Sequence, residues 1–128
     1  MYDFVYQVTS DKSFDDAVSA VQAQTQANGF RVQHVHDVQA TLAEKGFERG
    51  PLKIVEVCNA KYAHTATEIE IAVSLVMPCR INIHTEGGKT VISTLRPTAL
   101  VQMFQKPELE GFANEVESAL TTIIDNSK

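Results

Sequence analysis

The sequence has few of the residues from which large recognition surfaces are built. It contains no tryptophan, three tyrosines and six phenylalanines, so it offers no aromatic platform on which bases could stack. Its 11 lysines and arginines are scattered and are outnumbered by 16 acidic residues, which gives a formal net charge of -5. Because an acidic domain repels a phosphate backbone, we expect no nucleic-acid partner.

Long apolar runs are also missing. No stretch approaches the ~20 apolar residues that a membrane-spanning helix needs. The N-terminus lacks a basic segment followed by an apolar one, so the sequence predicts neither a signal peptide nor a membrane partner. We therefore expect a cytoplasmic protein whose two cysteines stay reduced. The 128 residues have the size of a single domain, predicted over residues 1–128, and no repeat or linker divides them.

Residue spacing predicts one strand and two main helices at the ends of the chain. Alternation of apolar and polar residues predicts a strand from Tyr2 to Val8. A first helix is predicted over residues 14–27, with Ser13 as its N-cap and Asn28-Gly29 at its end. The final helix is predicted to begin at Pro107. Its apolar stripe consists of Leu109, Phe112, Val116, Leu120 and Ile123.

The middle of the chain is predicted to hold four more strands and three short helices. Predicted strands cover residues 30–37, 52–57, 80–85 and 90–96, and predicted short helices cover residues 39–45, 60–67 and 98–104. Gly87-Gly88 suits a tight turn, which makes the last two strands antiparallel. Ile69 to Met77 alternates like a strand, although Pro78 would interrupt a central ladder. This order predicts an α+β fold, a mostly antiparallel sheet with two main helices on one face.

The predicted strand pairing brings two distant cysteines together. If the third strand runs antiparallel to the strand that begins at Arg80, Cys58 and Cys79 lie at the same end of the sheet. His64 lies in the connection between them. We therefore predict a ligand-binding site at Cys58, His64 and Cys79, which takes a small molecule or a partner.

The chemistry of this site stays open at the sequence level. A thiolate pair could form a reversible disulfide or bind a soft metal, with His64 as a base or third ligand of a redox or metal-assisted enzyme. Free cysteines are also often small buried hydrophobes, which would leave a structural or interaction domain. There is no Cys-x-x-Cys motif. The sequence therefore assigns no catalytic residue, no metal and no cofactor.

Other polar clusters give weaker signals. His34 and His36 share one face of a predicted strand, but a metal would need a third ligand that the spacing does not identify. Glu68 and Glu70 are interpreted as a solvated face. Gly87-Gly88 joins two strands and opens no helix, so it does not resemble a phosphate loop.

Several segments resemble a known family. The runs Gly29 to Leu42, Val57 to His64 and Leu75 to Ile83 resemble the family catalogued as domain of unknown function 302 (DUF302), and the resemblance covers almost the whole chain. It implies a two-layer β-α-β4-α sandwich, similar to one repeat of the TATA-binding protein, and a homodimer. It also implies that Ile69 to Met77 is a helical or irregular connection. The family often has proline where this chain has Ala60, and the resemblance implies no established activity.

Overall fold

The computed structural model describes residues 2–128 and contains five strands and five α-helices within them. The strands are β1 (Val5–Ser10), β2 (Arg31–Asp37), β3 (Leu52–Cys58), β4 (Cys79–Glu86) and β5 (Lys89–Leu95). The helices are α1 (Phe14–Ala27), α2 (Val38–Ala43), α3 (Ala60–Ile69), α4 (Thr98–Phe104) and α5 (Glu110–Ser127), with 3-10 turns at Ile71–Val76 and Pro107–Leu109. This order confirms the predicted α+β class.

The strands form one sheet in the order β1-β5-β4-β3-β2, and every neighbouring pair is antiparallel. Gly87 and Gly88 have φ angles of 58° and 78°, so they supply the left-handed backbone that the β4–β5 turn requires. Val57 pairs with Cys79, which confirms the predicted antiparallel pairing of β3 with β4. The C-terminal end of β3 therefore lies beside the start of β4.

The hydrophobic core lies between one face of the sheet and the two long helices. Val55 and Ile81 are cross-strand partners on that face, and both are fully buried. Val21 of α1 and Leu120 of α5 are also fully buried and belong to the same cluster. Burying each such side chain contributes about 1.5–3 kcal/mol. The predicted two-layer arrangement, with both main helices on one face, is confirmed.

The opposite face of the sheet, which we call the open face, has no long helix over it. It is defined by the alternate residues Arg80 and Asn82 of β4 and Ser93 of β5. Within residues 2–128, the short α2 packs against β3 on this side. Much of the open face is therefore free to contact other molecules.

Two predicted segments differ from the structure. The first strand begins at Val5 and not at Tyr2, and Tyr2 stacks on Phe4 ahead of it at a ring distance of 4.9 Å. The alternation over Ile69 to Met77 wrongly predicts a strand, since α3 continues to Ile69 and a 3-10 turn follows. Glu70 starts that turn, because its carboxylate accepts a hydrogen bond from the Ala72 amide at 3.1 Å. The helical or irregular connection that the family resemblance implies is correct.

Among residues 2–128, none of the helices is both long and apolar enough to cross a membrane.

Candidate functional site

Cys58 and Cys79 both lie at one end of the sheet. Cys58 is the last residue of β3 and Cys79 is the first of β4, and the register pairs Cys79 with Val57, the residue before Cys58. Both line a narrow crevice together with Phe30 and Tyr62. Its volume of about 20 Å³ is no larger than a single water molecule needs. The crevice is therefore too small for an organic ligand.

The surroundings of the two cysteines keep their thiols protonated. Both cysteines are free. Burial raises the pKa of the Cys58 thiol. Burial also raises the pKa of the Cys79 thiol to about 11, with Cys58 acting in the same direction and the Arg80 charge opposing it. Because the thiolate is the nucleophilic and metal-binding form, this arrangement is unfavourable for thiol chemistry at neutral pH.

His64 lies on the solvent-exposed side of α3 and does not line the crevice. Asn59 sets the start of this helix, because its side-chain oxygen accepts a hydrogen bond from the Tyr62 amide at 3.2 Å. The Asn59 side-chain nitrogen also donates to the Gly29 carbonyl oxygen at 3.0 Å, which ties α3 to the end of α1. With the helix anchored in this way, Tyr62 and Ala63 face the cysteines. The structure thus brings Cys58 and Cys79 together without His64.

A larger cavity opens at the same end of the sheet, on the other side of Cys79. We call it the sheet-end cavity, and its volume is about 270 Å³. Its walls are apolar and come from the 3-10 turn, the start of β4 and the start of α4. They are formed chiefly by Val76, Pro78, Pro97 and Leu100. Cys79 is therefore a wall residue shared by the narrow crevice and the sheet-end cavity.

Three polar side chains of the open face also line the sheet-end cavity: Arg80, Asn82 and Ser93. Asn82 and Ser93 are direct cross-strand partners, and neither side chain has a hydrogen-bond partner within residues 2–128. The Arg80 carbonyl oxygen accepts a hydrogen bond from Thr94 Oγ1 at 2.7 Å, which fixes the backbone from which the guanidinium extends. Spacing along the sequence does not reveal these three side chains as a group, because the β4–β5 register places them together.

The charge of Arg80 is left without a direct partner. No carboxylate oxygen of residues 2–128 lies within 4.0 Å of its guanidinium. Glu56 stands opposite Arg80 on β3, but its carboxylate accepts a hydrogen bond from His36 Nε2 at 2.7 Å. This hydrogen bond, aided by the Arg80 charge, lowers the pKa of the Glu56 carboxyl. Arg80 therefore remains available to an anion.

The histidine pair of β2 lies farther along the open face. The rings of His34 and His36 are 4.3 Å apart in an edge-to-face arrangement. In the part of the chain that the structure describes, no three histidine, cysteine or carboxylate side chains are arranged to hold a metal ion. Glu68 is exposed, whereas Glu70 caps the 3-10 turn and pairs with Lys106 at 3.5 Å.

The protein is a two-layer α+β domain, in which Cys58, Cys79 and the sheet-end cavity lie at one end of the sheet. A family model described as "Domain of unknown function DUF302" matches residues 6–127, so the chain belongs to the DUF302 family. A solved structure described as an uncharacterized conserved protein DUF302 from Bacillus stearothermophilus is 28% identical, with a TM-score of 0.94. That match covers 99% of this chain and 100% of the other. No curated protein matches the chain.

Proposed function

We propose that this domain binds a small organic molecule in the sheet-end cavity. The observation that carries the proposal is a cavity of about 270 Å³ with apolar walls and a few unpaired polar groups, Arg80, Asn82 and Ser93. Small-molecule sites are typically concave and mostly apolar, with a small number of polar groups that fix the orientation of the ligand. The size of the cavity suits a small ligand better than a large cofactor.

The state of the cysteines supports binding over catalysis. A thiol-dependent enzyme needs a thiolate near neutral pH, and burial raises the pKa of both thiols here. As a neutral side chain, Cys79 instead adds apolar surface to the cavity wall. Cys58 supports that wall from the far side of the narrow crevice. In this proposal the cysteine pair shapes the ligand site, and no covalent step takes place on it.

A fragment screen by ligand-detected NMR tests the proposal. Ser93→Leu places an apolar side chain in the cavity, and Gln7→Leu makes the same kind of change on the cross-strand neighbour of Ser93, outside the cavity. We expect fragments that bind the wild-type protein and Gln7→Leu but lose at least about tenfold in affinity with Ser93→Leu. No binding fragment, or equal binding to both variants, would contradict the proposed function. Circular dichroism checks that both variants are folded.

A further inference from the structure

A second, more open groove lies next to the sheet-end cavity. This terminal groove has a volume of about 590 Å³ and is lined by Phe4, Leu95, Ala99 and Met103 among others. Leu95 lines both the terminal groove and the sheet-end cavity, so the two spaces adjoin. A molecule that passes over Leu95 would therefore contact both spaces.

Several exposed apolar side chains line the terminal groove. Three of the seven large hydrophobic side chains that are exposed in residues 2–128 line it: Phe4, Leu95 and Met103, which are 44%, 42% and 58% exposed. Tyr2 stacks on Phe4 and enlarges the same patch. Contiguous apolar surface of this kind commonly marks a site at which an apolar partner or ligand is bound.

The charges along the two spaces differ from one end to the other. Arg80 is at the inner end, with no carboxylate within 4.0 Å. Arg96, which lines the terminal groove, is 3.5 Å from the carboxylate of Glu117 and lies over the Tyr6 ring. Asp3 also lines the terminal groove, and its negative charge disfavours an anion there. A negative group is therefore favoured at the inner end and an uncharged group at the outer end.

We infer that the ligand is an amphiphilic carboxylate with a single negative charge, an inference that rests on the function proposed above. Its carboxylate pairs with the Arg80 guanidinium and accepts hydrogen bonds from Asn82 and Ser93. Its hydrocarbon chain passes Leu95 and covers Phe4 and Met103. Glu56, opposite Arg80, opposes a second negative charge on the head group, which favours a carboxylate over a phosphate dianion.

A homologous series of free alkyl carboxylates below their micelle concentrations tests this inference by isothermal titration calorimetry. We expect affinity to rise about twofold to fourfold for each methylene from hexanoate to decanoate, because the added carbons are buried in the terminal groove. Met103→Glu places a charge in that groove and should remove the dependence on chain length while hexanoate still binds. Affinity that does not change with chain length would overturn the inference.

The charge of the head group is tested separately. Decanoate should bind at least about tenfold more tightly than decanol, and Arg80→Gln should remove this preference. Arg31→Gln is the matched control, since Arg31 is an exposed arginine at the start of β2 that does not line the cavity. Glu56→Gln should tighten decanoate binding. Equal binding of decanoate and decanol, or an Arg80→Gln variant that behaves like Arg31→Gln, would overturn the inference.

The two proposals can fail independently. If carboxylates do not bind but the fragments described above still require an open sheet-end cavity, only the carboxylate inference is wrong. If neither fragments nor carboxylates bind, both proposals are wrong. If light scattering shows a dimer that Met103→Glu dissociates, and carboxylates do not compete with it, a second copy of the chain covers the terminal groove and the inference is overturned.

Discussion

Cys79 and Arg80 are consecutive residues with opposite roles at the start of β4. Side chains alternate along a strand, so Cys79 turns to the helical layer and Arg80 to the open face. Burial makes a charge costly at Cys79, whereas the Arg80 side chain is exposed to solvent. One peptide unit thus contributes a neutral thiol to the cavity wall and a cation to the open face.

The raised pKa of Cys79 predicts a loss of stability in alkaline solution. Because its folded pKa of about 11 lies above the ordinary value of 9.0, the folded state favours the protonated thiol. The stabilisation is complete below pH 9.0 and is lost as pH rises towards 11. Over this range, the free energy of unfolding measured with urea should fall for both proteins. The fall should be up to about 2 kcal/mol smaller for Cys79→Ala than for wild type.

Wild-type protein and Cys79→Ala share the other groups that titrate in this range. A hydrogen bond to Asp125 raises the pKa of Tyr6, and a hydrogen bond to Asp11 raises that of Lys89. Both groups remain in the variant, and so does Cys58, whose pKa is also raised by burial. The difference between the two alkaline profiles therefore reports Cys79 together with its effect on Cys58. Identical losses of stability in the two proteins would show that the Cys79 thiol is not held neutral by burial.

The sequence predicts that Cys58 and Cys79 lie at the same end of the sheet. It does not predict the exposure of His64 or the cavity beside Cys79. The meeting of Cys58 and Cys79 follows from one antiparallel pairing, which the turn at Gly87-Gly88 and the strand order favour. The exposure of His64 depends on the rotational phase of α3, which is set by the Asn59 cap and its contact with Gly29. A cavity is formed by several segments at once, so local spacing does not reveal it.

At the scale of elements, capping signals predicted helix limits well where the structure uses them. α1 covers the predicted residues because Ser13 Oγ accepts a hydrogen bond from the Asp16 amide at 3.2 Å and Gly29 takes a φ of 79°. The strand prediction for Ile69 to Met77 is wrong, because it rests on hydrophobic alternation, which ordinarily indicates a strand with one buried face. In the structure Ile71 is 70% exposed and Leu75 is 83% exposed, so those apolar residues do not form a buried face.

Two apolar residues of the 3-10 turn, Val73 and Leu75, should differ in how much they contribute to the free energy of unfolding. Val73 is fully buried in the core, whereas Leu75 is 83% exposed. Val73→Ala should lower the free energy of unfolding by about 1.5–3 kcal/mol, because it removes buried methyl groups and leaves a cavity. Leu75→Ala should change it by less than about 0.5 kcal/mol. Chemical denaturation measures both, and similar losses would indicate that the two side chains share a buried face, as they would in a strand.

At the scale of the whole molecule, a single helical layer leaves the other face of the sheet available. α1 and α5 close the core from one side, and the short α2 covers only part of the opposite face, beside β3. The core is thereby formed on one face, and the proposed ligand site, the sheet-end cavity, includes open-face residues at one end of the sheet. Homodimer formation, which the family resemblance implies, stays a prediction.

A crystal structure of the protein with bound decanoate shows whether the sheet-end cavity binds an amphiphilic carboxylate. The claim predicts the carboxylate within hydrogen-bond distance of the Arg80 guanidinium, beside Asn82 and Ser93. The hydrocarbon chain should then run past Leu95 into the terminal groove. Decanoate bound with its carboxylate away from Arg80, or a saturated crystal whose sheet-end cavity holds no decanoate, would contradict the account.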